Sequence, residues 1–89
     1  MKKLTREQLL QTLEAHAYVN RKVNRPLFLA CNAVIRHLET EVSRAYYTQA
    51  AISRLIHTQV APVFTLITQA ELDAFAQYLI NEVNRVGKS

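Results

Sequence analysis

At 89 residues the chain is one domain, near the lower end of what folds without a staple. Hydrophobic residues at 49% against 20% charged exclude a disordered chain, and the single cysteine, Cys31, excludes an internal disulfide. One Gly and two Pro disfavour a many-stranded sheet; no secretory h-region and no apolar run of ~18 residues is present, so an all-α cytoplasmic protein without a membrane partner is expected.

Thr5-Arg6-Glu7-Gln8 forms a capping box that opens a first helix, with Leu9, Leu10, Leu13 and Ala17 as its apolar stripe through about Val19. Asn20 to Arg25 breaks the pattern, and Pro26 suits the first turn of a second helix. There Leu27, Ala30, Cys31, Val34 and Leu38 recur at helical spacing, widened by Phe28 and Ile35, which places this helix at the centre of the core. Thr40 is the expected N-cap of a short third helix reaching about Tyr46, with Val42 and Ala45 inward. Thr48 caps a fourth helix to about Gln59, and Pro62 closes that region. Residues 63–67, Val63-Phe64-Thr65-Leu66-Ile67, are β-branched and aromatic enough for one short strand or a dimer ribbon.

A second capping box, Thr68-Gln69-Ala70-Glu71, opens the last helix over 68–86, and Gly87 is its natural stop. Leu72, Phe75, Ala76, Leu79, Ile80 and Val83 follow helical spacing without a polar interruption. Pairing with a second subunit through Leu72, Phe75, Leu79 and Val83 would bury this stripe; packing on the first two helices is the alternative.

Net charge is +4, and its cations gather mid-chain. Between residues 20 and 57 stand Arg21, Lys22, Arg25, Arg36, Arg44 and Arg54 against Glu39 and Glu41, whereas 58–89 carries Arg85 and Lys88 against Glu71, Asp73 and Glu82. A polyanion-binding surface needs such a field, although a solvated basic face would look the same. Within this region Ile52, Leu55 and Ile56 share a buriable face of the fourth helix. Gln49 and Ser53 lie on another face, beside the row Ala50, Arg54 and His57. Small residues keep that surface shallow while the longer side chains reach out, which suits a helix entering the DNA major groove. Arg44, ahead of this helix, suits a phosphate, as does the hydroxyl of Tyr47 unless its ring is the one that fills the core.

No catalytic constellation stands out. His16, His37 and His57 lie in three separate helices and lack zinc-site spacing, so surface imidazoles and a packed Cys31 thiol are expected. Glu39 and Glu41 point to different helix faces, and one glycine cannot form a phosphate-cradling loop. Neither enzyme activity, metal nor small-molecule cofactor is expected.

Residues 41–56, from Glu41-Val42-Ser43-Arg44 to Ser53-Arg54-Leu55-Ile56, resemble a bacterial helix-turn-helix with only Tyr46-Tyr47 between its helices. The run from Thr48 to Phe64, with the opening Met1-Lys2-Lys3-Leu4-Thr5, looks most like the KorA/TrfB group of plasmid-encoded repressors. That resemblance implies a helical homodimer that binds palindromic operator DNA and represses plasmid maintenance or transfer genes. It implies Thr48, Gln49, Ala50, Ser53 and Arg54 as recognition-helix positions, with Arg44 on the preceding helix. The leading expectation is therefore an all-α domain of about five helices, a DNA-binding repressor over residues 1–89. The rival is a small helical interaction module, an adaptor or inhibitor, with the last helix presented to a protein partner.

Overall fold

Thr5 closes one element and caps the next. The computed structural model describes residues 3–62 and 65–86, in which Lys3–Thr5 form a short strand, β1, leading directly into helix α1 (Arg6–Asn20). The Gln8 amide donates to Thr5 Oγ1 at 3.1 Å, and the Thr5 amide donates to Gln8 Oε1 at 2.9 Å. Both halves of the expected capping box are thus made. After a reversal at 21–24, helix α2 (Arg25–Thr40) opens under an Asn24 cap with Pro26 in its first turn, where a missing N–H costs nothing. Leu9, Leu13 and Ala17 of α1 and Ala30, Cys31, Val34 and Leu38 of α2 are buried, and the two helices pack as a hairpin.

The helix expected over 40–46 does not form. Thr40 is instead the last residue of α2, and its hydroxyl donates to the His37 carbonyl at 2.9 Å. Residues 41–45 cross without regular structure, leaving Val42 and Ala45 exposed rather than inward. Tyr46–Thr48 then form strand β2, antiparallel to β1, with Leu4 opposite Tyr47. Two aromatics and a threonine suit a pleated surface, and alternation sends Leu4 and Tyr47 into the core while Lys3 and Tyr46 stay outside.

Thr48 caps helix α3 (Gln49–Gln59), its hydroxyl accepting from the Ala51 amide at 3.3 Å. Of the strand expected at 63–67, Val63 and Phe64 lie outside the described residues, while Thr65, Leu66 and Ile67 form turns and a bend. Helix α4 (Gln69–Val86) begins with the second capping box intact: the Glu71 amide donates to Thr68 Oγ1 at 3.2 Å, and the Thr68 amide to Glu71 at 3.1 Å. Its expected stop, Gly87, lies outside the described residues. The described chain is therefore mostly helical, with four helices and a two-stranded ribbon rather than five helices.

The assembly expected of α4 needs correction. Leu72, Phe75, Leu79 and Val83 are only 4%, 2%, 0% and 0% exposed within the single chain. They join Leu4, Leu9, Leu13, Leu38, Ile52 and Ile56 in one cluster, so their own fold covers them and none is available to a second subunit. No helix among the described residues is long and apolar enough to cross a membrane.

Candidate functional site

Helix α3 buries Ile52, Leu55 and Ile56, which leaves Ala50, Arg54 and Thr58 as an exposed row on its opposite side, with half-buried His57 beside them. The row is low at Ala50 and rises to one guanidinium. Beside it runs an open groove of about 610 Å³, lined by His37 near the end of α2, by Glu41, Ser43 and Arg44, and by Ala50, Arg54 and Thr58. The Ser43 hydroxyl donates to the Glu41 carboxylate. Among the described residues neither Arg44 nor Arg54 forms an ion pair, and the two cations line the groove together with the Glu41 carboxylate. The Arg44 guanidinium instead lies over the Tyr47 ring, 5.6 Å from its centroid.

Arg6 fixes the segment that carries Arg44. Its Nε and Nη2 both donate to the Leu38 carbonyl, at 2.9 and 2.6 Å, and its backbone N–H donates to the Ala45 carbonyl at 2.9 Å. One residue thus satisfies an orphan carbonyl at the end of α2 and holds the far end of the 41–45 crossing. In the sequence Arg6 has no role beyond its place within the first capping box. The available signal was the need of a helix C-terminus for donors, but nothing local identifies a donor 32 positions away. Lys3, 4.2 Å from the Tyr46 centroid, adds a cation on the outer side of the ribbon.

The nominated residues divide. Arg44, Ala50 and Arg54 meet at the groove, joined by His37, which the sequence offered only as a surface imidazole, and by Ser43 and Thr58, which it did not assign to a site. Tyr47 forms part of the groove wall, but it is only 3% exposed, and its enclosed hydroxyl has no hydrogen-bond partner among the described residues. The assignment of that hydroxyl to a phosphate is therefore corrected: Tyr47 is the core tyrosine and Tyr46, 51% exposed, is the surface one. Burial raises the Tyr47 phenol above its ordinary pKa, opposed by Arg44 and Arg6 and reinforced by Glu41.

Thr48, Gln49, Ser53 and His57 do not face the groove. The Thr48 hydroxyl is committed to its cap, and the Gln49 side-chain amide donates to Asn84 of α4 at 2.6 Å. Ser53 is half-buried between them. His57 Nδ1 lies 2.8 Å from the Ser53 carbonyl, and its Nε2 lies 3.7 Å from Asp73 at the start of α4. The α4 side of α3 is thus a polar seam within the fold.

The cations that cluster in sequence also separate in space. Arg21, Lys22 and Arg25 belong to the α1–α2 end, whereas Arg44 follows the opposite end of α2, about 22 Å away along the helix axis. His16, expected at the surface, is half-buried and stacked on Phe75 and Tyr78, which lowers its pKa by desolvation. Cys31 is fully buried, and burial pushes its thiol up to about 12. Among the described residues no three His, Cys, Asp or Glu side chains group as metal ligands. Compared with protein-family models, curated proteins and solved structures, the chain gives no significant match.

Proposed function

We propose that the chain binds duplex DNA through the outer row of α3 and the groove beside it, acting as a sequence-specific transcriptional repressor. The observation that carries this reading is the convergence on one groove of Arg44 and Arg54, which form no ion pair among the described residues, beside a low, solvent-facing helix row. Ala50 lets the backbone of α3 approach base edges, and Arg54 has the length and fork to address guanine O6 and N7. Arg44 and Lys3 sit on flanking segments where phosphate contacts set docking register. Gln49, held by Asn84, leaves adenine reading to others or must exchange that bond on docking.

The reading unit is not a helix-turn-helix with a short turn. Eight residues, 41–48, separate α2 from α3, and the last three are strand β2. In this proposal the ribbon and Arg6, rather than a tight turn, fix the pitch of α3. The resemblance to KorA/TrfB repressors gives the proposal its finer form, control of plasmid maintenance or transfer genes from an operator. The rival reading, a small helical interaction module that presents the last helix to a protein partner, would have to use the outer face of α4, because Leu72, Phe75, Leu79 and Val83 are buried.

Fluorescence anisotropy with labelled duplexes tests the proposal. Log affinity should fall linearly with log salt, with a slope near −0.9 per neutralised phosphate. Arg44→Ala should lower affinity on all sequences alike and make that slope shallower by about one unit. An affinity independent of salt would remove phosphate neutralisation from the account.

A further inference from the structure

An apolar side chain stands in the α1–α2 reversal, where a water-facing turn ordinarily carries Gly, Asn, Asp or Ser. Val23 is 82% exposed there, and Tyr18 and Val19, in the last turn of α1, are exposed as well. The reversal is tied at its end: the Asn24 amide donates to the Asn20 carbonyl at 2.9 Å, and Asn24 Oδ1 accepts from the Leu27 amide at 3.2 Å. Glu71 joins a second segment to this place. It accepts from the Asn24 side chain at 3.4 Å and from the Thr68 amide and hydroxyl, both at 3.1 Å. Leu66, 80% exposed, stands two residues before Thr68 and so at the same end of the molecule. Of the five most exposed large hydrophobic residues described, only Val42 lies elsewhere. Cations accompany this patch. Arg21, Lys22 and Arg25 are exposed, and none forms an ion pair among the described residues. Arg21 and Arg25 lie instead over the rings of Tyr18 and Phe28, 5.3 and 5.1 Å from their centroids. Between Glu14 and Glu39 the chain holds no carboxylate. Glu14 is one turn back from Tyr18 along α1, and Glu71 is half-buried in the bonds just given.

We infer that this end of the molecule docks on a lipid surface bearing anionic headgroups. Duplex DNA would reward the cations but leave Val19, Val23 and Leu66 in water, whereas a bilayer interface takes both at once. The aliphatic side chains enter the boundary between headgroups and acyl chains. The Tyr18 ring lies at headgroup level with its hydroxyl wet, and the three cations meet the anionic headgroups. Glu14 marks the inland limit of the contact, since a carboxylate drawn closer would be repelled. The contact needs no spanning helix, and only one short end enters, so it is weak and reversible. The groove beside α3 lies beyond the opposite end of α2. The inference therefore does not rest on DNA binding.

Flotation of the full chain with vesicles tests the inference, phosphatidylcholine alone against phosphatidylcholine with about 30 mol% phosphatidylserine. Binding is expected only to the anionic vesicles, and it should weaken as salt rises. Arg21→Glu/Lys22→Glu should lower it about tenfold or more, at roughly fivefold for each cation lost. Val23→Ser/Leu66→Ser should also weaken it several-fold, whereas Arg44→Ala/Arg54→Ala, at the far end, should leave it within about twofold. All six positions are exposed, so thermal melts of these variants should match that of the unaltered chain. The chain contains no tryptophan, so Val23→Trp supplies a single reporter whose emission should shift to the blue on anionic vesicles. Absence of binding to anionic vesicles at low salt would overturn the inference. So would an equal loss in Arg44→Ala/Arg54→Ala, or emission of the Val23→Trp variant unmoved by vesicles that bind it. Loss of duplex binding in Arg21→Glu/Lys22→Glu with vesicle binding intact would give this end to nucleic acid instead.

Discussion

His16 lies 5.6 Å from the Phe75 ring centroid and 4.1 Å from that of Tyr78, near parallel to both. Desolvation there disfavours the imidazolium, so the unfolded chain takes up a proton more readily than the folded one. Stability should therefore be level above the ordinary value of 6.5 and fall as pH drops below it. Denaturant midpoints between pH 5 and 8 should trace that slope, and His16→Phe should flatten it; an unchanged slope in the variant would place the proton elsewhere. Glu71 adds a loss in a more acidic window. The Thr68 amide, the Asn24 side chain and the Thr68 hydroxyl lower its pKa from 4.5, and its contribution vanishes only as pH falls through that lowered value. Tyr47 gives a third residue-scale test. Its hydroxyl is enclosed without a partner among the described residues, so Tyr47→Phe should leave stability equal or raise it by up to about 1 kcal/mol. Loss of more than that on chemical denaturation would show a hidden partner. The sequence announced one buried and one exposed tyrosine without telling which. The choice is made by the register of the ribbon, where Leu4 faces Tyr47 across a pairing 43 positions long. His16 was misread because it sits at the edge of the Leu9–Leu13–Ala17 stripe, and the rings that cover it come from α4.

Helix beginnings were legible because their chemistry is local. Thr5 with Gln8, Thr48 with Ala51 and Thr68 with Glu71 each close over three positions, within reach of any reading of the chain. Thr48→Ala should accordingly cost about 1 kcal/mol, read as a shift in denaturant midpoint with an unchanged slope. The missing helix at 40–46 and the ribbon were illegible for the opposite reason. Three residues carry too little periodicity to separate strand from helix, and β2 exists only because β1 pairs with it. Arg6 belongs to the same class of distant partner. Arg6→Ala should cost about 1.5–3 kcal/mol, because it removes a charge-assisted pair of hydrogen bonds at a helix end. Amide hydrogen exchange should then rise across residues 41–48 before it rises in α1; protection unchanged in that segment would deny Arg6 its positioning role.

For the whole molecule, the width of an apolar stripe says how much surface must be covered and nothing about what covers it. The α4 stripe was matched to a second subunit or to the first two helices because the β1–β2 ribbon is not visible in the sequence pattern. Leu4 and Tyr47, with Ile52 and Ile56 of α3, supply the missing cover. Leu79→Ala should thus cost about 2–5 kcal/mol in stability as a cavity in a monomer core, without shifting the assembly state of the molecules that remain folded. The linear cluster of cations likewise misled about shape, since α2 carries its two ends far apart. Only Arg44 and Arg54 of that run line the groove beside α3. The outer row of that helix was legible in part: Ala50 and Arg54 hold their expected place, while Gln49 and His57 turn towards α4 under contacts that no local pattern encodes, and Ser53 is half-buried.

The most direct test of the central claim is competition binding of a duplex selected from a random pool, against its single-base variants, by the unaltered chain and by Arg54→Ala. The account predicts salt-sensitive binding by the unaltered chain and a loss of about 1–3 kcal/mol for Arg54→Ala on the preferred duplex. It also predicts that base preference relaxes at one position while the others keep theirs. Failure of the unaltered chain to bind any duplex at low salt would contradict DNA recognition itself. An equal loss on every sequence would make Arg54 a phosphate contact and move base reading away from the row Ala50–Arg54–Thr58.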